Sequence, residues 1–292
     1  MSVVDDVRDR LAGSLRALLG GETSEERPAP AVDSLFGPGS AVWDVHADAS
    51  MLVGGVRSLL LQTLHPPTMA GVADHSDYRH DPLGRLQRTS HFVGITTYGS
   101  AADAQIAIDT VRTIHDRITG TAPDGTPYRA NDPHLLEWVH STEVDSFLVA
   151  KQRFGHNRLD DQRADTYVAE MAEIARRLGV PEPATSVREL RDTLRRYRPE
   201  LGLNHQSRAA IRFLAAPPLP LPMRGPYGVL FAGALSTLPN WARRRMWLPR
   251  LPVTEALAVR PTTQALTSIL DWAMAAGQDR AALTAAQPGS PD

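Results

Sequence analysis

Cysteine is absent from the 292 residues. That excludes disulfides, cysteine-ligated iron–sulfur clusters, thiolate-ligated haem and cysteine nucleophiles together. Any bound metal must therefore be held by His, Asp, Glu or Tyr. Lysine is nearly absent as well, Lys151 being the only one, and the formal charge of -2 leaves no basic excess to neutralise phosphates. Nucleic acid is not an expected partner. No apolar run reaches the ~18 residues of a membrane span. The opening Met1–Arg10 mixes charges and lacks the apolar stretch of a secretory signal. Cytoplasm is the expected location. Strand-like alternation of apolar and polar residues is scarce, which argues against a β architecture.

What remains is helical. Segments with helical period, separated by Pro/Gly breaks, predict helices near 46–64, 68–75, 82–98, 101–119, 132–154, 160–178, 186–197, 205–215, 225–247 and 262–276. Asp81-Pro82 and Asp132-Pro133 each read as an N-cap followed by proline in the first turn, and Ser100 can cap the helix after it. Pro66-Pro67 must end the helix that carries Leu59, Leu60 and Leu64. The expectation is an all-α, single-domain bundle over 31–281. An amphipathic helix (3–19) and a Gly/Pro linker (20–30) precede it, and a disordered tail (282–292) follows.

Histidines on apolar faces are the first candidates for chemistry. Ala104, Ile108, Val111, His115 and Ile118 recur at steps of four and three, so His115 occupies a core position. A buried imidazole needs partners for both nitrogens. Two ordinary hydrogen bonds would serve, and so would a metal on one nitrogen and an acceptor for the other. His140 shares a stripe with Leu136, Val144 and Phe147 and completes Glu137-Trp-Val-His140, an E-x-x-H. Di-iron bundles use two such motifs with two further carboxylates, and this chain has a single one. His65 stands before Pro66-Pro67, where it can cap a helix end or line a pocket wall. His75, His80 and His91 lie in polar surroundings that predict exposure.

Asp81-Pro-Leu-Gly-Arg-Leu-Gln-Arg-Thr-Ser-His-Phe-Val93 is the most unusual stretch. Arg85 and Thr89 share a helix face, with Arg88 three residues after Arg85. Two guanidinium groups in the opening turns repel each other near the positive end of the helix dipole. An arriving carboxylate or propionate would relieve that arrangement, and so would an acidic residue on a neighbouring helix. Further on, residues 213–250 are apolar and Pro-rich, ending in Trp241-Ala-Arg-Arg-Arg-Met-Trp247. A packed helix with a basic end is favoured there over a membrane-surface segment, which would show a stronger basic face.

Four ordered motifs carry a family resemblance. They are Leu61-Gln-Thr-Leu-His-Pro-Pro-Thr-Met-Ala-Gly-Val-Ala-Asp-His-Ser76, Asp81-Pro-Leu-Gly-Arg-Leu-Gln-Arg-Thr89, Val111-Arg-Thr-Ile-His115 and Trp138-Val-His-Ser-Thr142. The stretch from about 36 to about 250 resembles the MpaB and rubber-oxygenase (latex clearing protein) family. The resemblance implies a globin-like helical core around haem b, with His115 as the proximal iron ligand. It implies Arg85 and Thr89 in the haem pocket; Arg85, Arg88 and Thr89 are the catalytic candidates, and His65 and His140, read from their positions, are further cofactor-binding candidates. Rubber-cleaving members are exported, and they carry a distal lysine where Arg88 stands here. They also have a glutamate base near the place of Met69. Arginine is a poor iron ligand, and these departures argue against polyisoprene itself as the substrate. The expected function is a haem b-dependent oxygenase that joins dioxygen to a small apolar, unsaturated or isoprenoid-like substrate. A haem-binding sensor without turnover and a non-haem di-iron oxidase are the alternatives.

Overall fold

Short polar side chains start most of the helices, as the cap signals predict. Ser40, Asp81, Ser100, Asp132 and Asp160 each accept a hydrogen bond from a backbone N–H in the first turn that follows. Each such cap stabilises its helix by about 1 kcal/mol relative to alanine. In the computed structural model the described residues are 13 and 33–285. The expected helix over 3–19 (Gly13 aside), the linker 20–30 and residues 286–292 of the expected disordered tail lie outside them; residues 282–285 of that tail are instead the end of the last helix, as their alanine-rich sequence permits.

The elements run in order as α1 (Ala41–His46), α2 (Ser50–Gln62), α3 (Pro66–His75), α4 (Pro82–Tyr98) and α5 (Ala101–His115). A hairpin of β1 (Thr119–Thr121) and β2 (Pro127–Arg129) follows, then α6 (Pro133–Phe154), α7 (Asp161–Leu178), α8 (Val187–Arg196) and α9 (His205–Ala215). The chain ends in α10 (Leu221–Thr237), α11 (Asn240–Arg245), α12 (Pro252–Thr254), a π-helical turn (Glu255–Val259) and α13 (Arg260–Ala285). The architecture is mostly helical, and no described helix is long and apolar enough to cross a membrane.

Three boundaries differ from the sequence reading, each for a local reason. The helix expected over 46–64 is two, because Asp48 interrupts it: its Oδ1 accepts the Ser50 N–H at 2.9 Å and its Oδ2 takes Lys151 Nζ at 2.8 Å. The helix expected over 225–247 breaks between Thr237 and Asn240, at Pro239, which has no N–H to continue the ladder. The helix expected over 101–119 stops at His115, and residues 119–129 form an antiparallel hairpin pairing Gly120 with Tyr128. A side chain at Gly120 would meet the Tyr128 ring, since its Cβ would lie 2.7 Å from Tyr128 Cζ.

Helix α6 is the centre of the bundle, with α2 against one flank and α7 and α8 against others. Gly54 of α2 permits the close approach, for a Cβ there would lie 3.0 Å from both Phe147 Cα and Ser146 O. One apolar cluster joins Val42, Val45, Ile108, Val144, Phe147, Tyr167 and Met171. A second joins Leu60, Leu61, Leu64, Trp138, Phe154, Tyr197 and Leu238. Helices α4 and α5 pack together across a two-residue connection, so the chain doubles back and the Arg85 end of α4 lies toward the His115 end of α5. The basic end of 241–247 is turned to protein: Arg243 donates to Leu235 O, Pro249 O and Glu255, and Arg245 to Leu201 O and Arg198 O.

Candidate functional site

His115 is the last residue of α5, half-buried, below the fully buried Ala104 and Ile108 of its stripe. Its Nδ1 is enclosed and faces the Asn131 side chain, whose Oδ1 is enclosed as well; the two are close enough to interact but do not meet strict hydrogen-bond geometry. The Asn131 amide nitrogen holds that side chain in place, donating to Arg112 O at 2.9 Å and to Asp116 Oδ1 at 2.6 Å. Burial pushes the His115 imidazole below its ordinary pKa, with the Asn131 carboxamide acting in the opposite direction. The ring is therefore neutral at pH 7. Its Nε2 makes no hydrogen bond among the described residues and is not among the enclosed atoms.

Arg85 carries one hydrogen bond, to Ser76 Oγ at 2.7 Å, and no carboxylate partner among the described residues. Burial lowers its pKa, which marks a guanidinium taken partly out of water without a counter-charge. Arg88 goes the other way: it is exposed and pairs with Asp81 at 3.3 Å. Thr89 is exposed too, and its hydroxyl donates to Arg85 O at 3.0 Å within the helix. The structure thus turns Arg85 inward and leaves Arg88 and Thr89 on the solvent side of α4.

His140 and Glu143 are both strongly desolvated. Both are on α6, three residues apart and so on one face. Neither makes a hydrogen bond among the described residues. Burial lowers the His140 pKa to about 4 and raises that of Glu143 to about 7. Glu143 nevertheless keeps accessible surface. Close by, Tyr167 hydrogen-bonds His46 Nε2 at 3.3 Å, while His46 Nδ1 meets Thr97 Oγ1 at 2.8 Å. Burial pushes Tyr167 upward and brings His46 down to about 3.

Two expected members lie elsewhere. His65 caps α3, where its Nδ1 meets Thr68 Oγ1 at 2.9 Å, and it packs on Trp138 and Tyr197 rather than beside His115. Glu137, the carboxylate of the E-x-x-H, is held by Tyr197 Oη at 2.8 Å and Arg196 at 3.0 Å. That leaves His140 with Glu143 as its neighbour, not Glu137. Sequence reasoning missed Glu143 and Asn131. Glu143 had a signal, since it sits on the inward side of the Leu136–His140–Phe147 stripe. Asn131 had none, for its role depends on where the hairpin returns the chain. A cavity of about 300 Å³ also exists between α10 and the π turn, lined by Gly225, Gly228, Val229, Ala258, Val259 and Thr263. It holds no titratable group.

Residues 43–272 match the family described as ER-bound oxygenase mpaB/B'/rubber oxygenase, catalytic domain. The chain belongs to this family. A search of curated proteins and one of solved structures each found no significant match. Membership in the MpaB/rubber oxygenase family supports an oxidoreductase whose reactants are dioxygen and an organic substrate.

Proposed function

We propose that this chain is a haem b-dependent oxygenase acting on a small apolar, unsaturated or isoprenoid-like substrate. The observation that carries the reading is the His115 imidazole. An iron-ligating histidine needs one nitrogen free and the other facing an acceptor that fixes its tautomer. Here Nε2 is free and Nδ1 is enclosed beside the likewise enclosed Asn131 Oδ1. The residues fit the group: His115 would hold the iron, and the uncompensated Arg85 would meet a propionate. The globin-like part of the reading is that haem sits where the returning α4 and α5 face α6. Bound there, haem would supply iron-centred activation of dioxygen.

The chain's own residues supply the rest. Glu143, titrating near 7, is the side chain best matched to give or take a proton at neutral pH. His140 stays neutral and can donate or accept a hydrogen bond from the same face. Phe92, partly buried against the core, brings apolar surface that suits an apolar substrate.

Protein purified from haem-fed cells should show a Soret band at one haem per chain. His115→Ala should lose the band, while the half-exposed His134→Ala should keep it. A colourless preparation containing a non-haem metal, or a Soret band indifferent to His115→Ala, would overturn the assignment. Oxygen uptake on adding short isoprenoids to the haem-loaded protein would separate an oxygenase from a sensor.

A further inference from the structure

A second group of ligand atoms lies at the corner between α2 and α3, apart from the face of α6 that carries His140 and Glu143. His65 Nε2 lies 3.4 Å from Glu200 Oε2, and His134 Nε2 lies 2.6 Å from the same oxygen. All three ligand atoms fall within 4.8 Å of one another. The three residues come from the α2–α3 corner, the first turn of α6 and the loop after α8. We propose that His65, His134 and Glu200 form a binding site for one divalent transition-metal ion, with Zn²⁺ as the reference ion.

The rings are already aimed. His134 stacks on Tyr197 at 4.5 Å between centroids, and Tyr197 donates to the His134 carbonyl at 2.7 Å. His65 is wedged against Trp138, and its Nδ1 takes the Thr68 N–H at 3.4 Å as the cap of α3 and lies 2.9 Å from Thr68 Oγ1; a metal on Nε2 requires the tautomer in which Nδ1–H turns to Thr68 Oγ1 instead. That is the outer-shell arrangement found around metal-bound histidines. The donor set, two imidazoles and one carboxylate, suits Zn²⁺ and its neighbours and does not suit Mg²⁺ or Ca²⁺.

The electrostatics agree. Glu200 is paired only with these two histidines among the described residues, and no lysine or arginine neutralises it. His134 and Glu200 are about half exposed, at 49% and 45% of their side chains, which gives an ion a path in and leaves coordination positions for water. The other cluster of this kind, Asp48, His156 and Asp271, lacks that room. Lys151 Nζ already sits 2.8 Å from Asp48 Oδ2 and does the work of a cation.

The test uses the full chain, tag-free, stripped with a chelator and dialysed against Zn²⁺. Metal analysis should find one tightly held Zn²⁺ per chain, and Co²⁺ loading should give the intense visible bands of a site with four or five ligands. His134→Ala and Glu200→Gln, both at accessible positions, should each abolish tight uptake, with helicity and haem content unchanged. Asp271→Asn should retain it. No tight uptake by the parent chain, or uptake that persists in either His134→Ala or Glu200→Gln, overturns the proposal. A failure here leaves the haem assignment untouched, since the two are read by different metals and different variants.

Discussion

The two flanks of α6 treat buried ionisable groups in opposite ways. Toward α2 every charge is matched. Arg57 meets Asp145 at 2.8 Å and Ser146 at 2.7 Å, and Lys151 meets Asp48 at 2.8 Å. On the face of α6 that carries Glu143 toward Tyr167 of α7, His140 is buried and Glu143 partly buried, and neither has a hydrogen-bond partner among the described residues. A buried polar atom without a partner costs about 1–3 kcal/mol. Ser50 Oγ and Trp138 Nε1 are enclosed without partners on the α2 flank too, so it is the desolvated ionisable pair His140 and Glu143, rather than orphaned polar atoms in general, that sets the other flank apart.

The largest effect should come from breaking the matched flank. Lys151→Met removes the cation but leaves Asp48, which is only 5% exposed in its side chain, still accepting the N–H groups of Ser50 and His156. Removing one partner of a buried pair typically costs roughly 3–5 kcal/mol. Chemical denaturation should show a loss of that size at pH 7. A second variant, Asp48→Asn with Lys151→Met, should recover part of it, because no charge is then stranded. A loss below ~1 kcal/mol for Lys151→Met would mean that the flank is not satisfied by this pair.

How much of this contrast was legible beforehand follows from range. Asp81-Pro82, Asp132-Pro133 and Ser100 announced their helices because a cap acts on its own first turn. The burial of His140, Ala104 and Ile108 was legible from period alone, whereas His115 is only half-buried and Ile118 lies past the end of its helix. Exposure of His75, His80 and His91 was read correctly from their polar surroundings. The interruption at Asp48 was not, because it depends on a lysine 103 positions away. The hairpin went unseen because strands of three residues carry too little alternation, although Pro123-Asp124-Gly125 is a turn signal and Gly125 adopts a φ of +88°. Arg85 and Arg88 look alike in sequence and differ only because Asp81 is within reach of one and not the other.

The next effect sharpens the open flank through pH. Glu143 has its folded pKa raised, from an ordinary 4.5 to about 7, so the folded chain favours the protonated acid. Its stabilising contribution is complete below pH 4.5 and is lost as pH rises through about 7. At about 1.4 kcal/mol per pH unit, the loss amounts to roughly 3 kcal/mol. Glu143→Gln should abolish that loss, so the stability difference between parent and variant should widen steadily from pH 4.5 to 7. His140 has the opposite sign: its pKa is lowered to about 4, and its contribution is present above 6.5 and lost as pH falls. His140→Leu should therefore gain relative to the parent on the acid side. Differences flat with pH for both variants would show that the open flank is no more desolvated than the surface.

The smallest effect tests packing with one substitution made twice. Gly54→Ala on the matched flank would drive a methyl to 2.7 Å from Phe147 Cδ1 and 3.0 Å from the α6 backbone, so α2 and α6 must separate. Overpacking of this kind costs roughly 1–3 kcal/mol. Gly94→Ala on α4 meets nothing within 4 Å among the described residues, and its helix should gain about 0.4–1 kcal/mol from the reduced freedom of the unfolded chain. Thermal unfolding of the haem-free chain should move in opposite directions for the two. If Gly94→Ala also destabilised, the space beside Gly94 would not be open, and the proposal of a ligand bound against α4 would weaken with it. If the haem-loaded chain alone rejected Gly94→Ala, the added methyl would be reporting the ligand that fills that space.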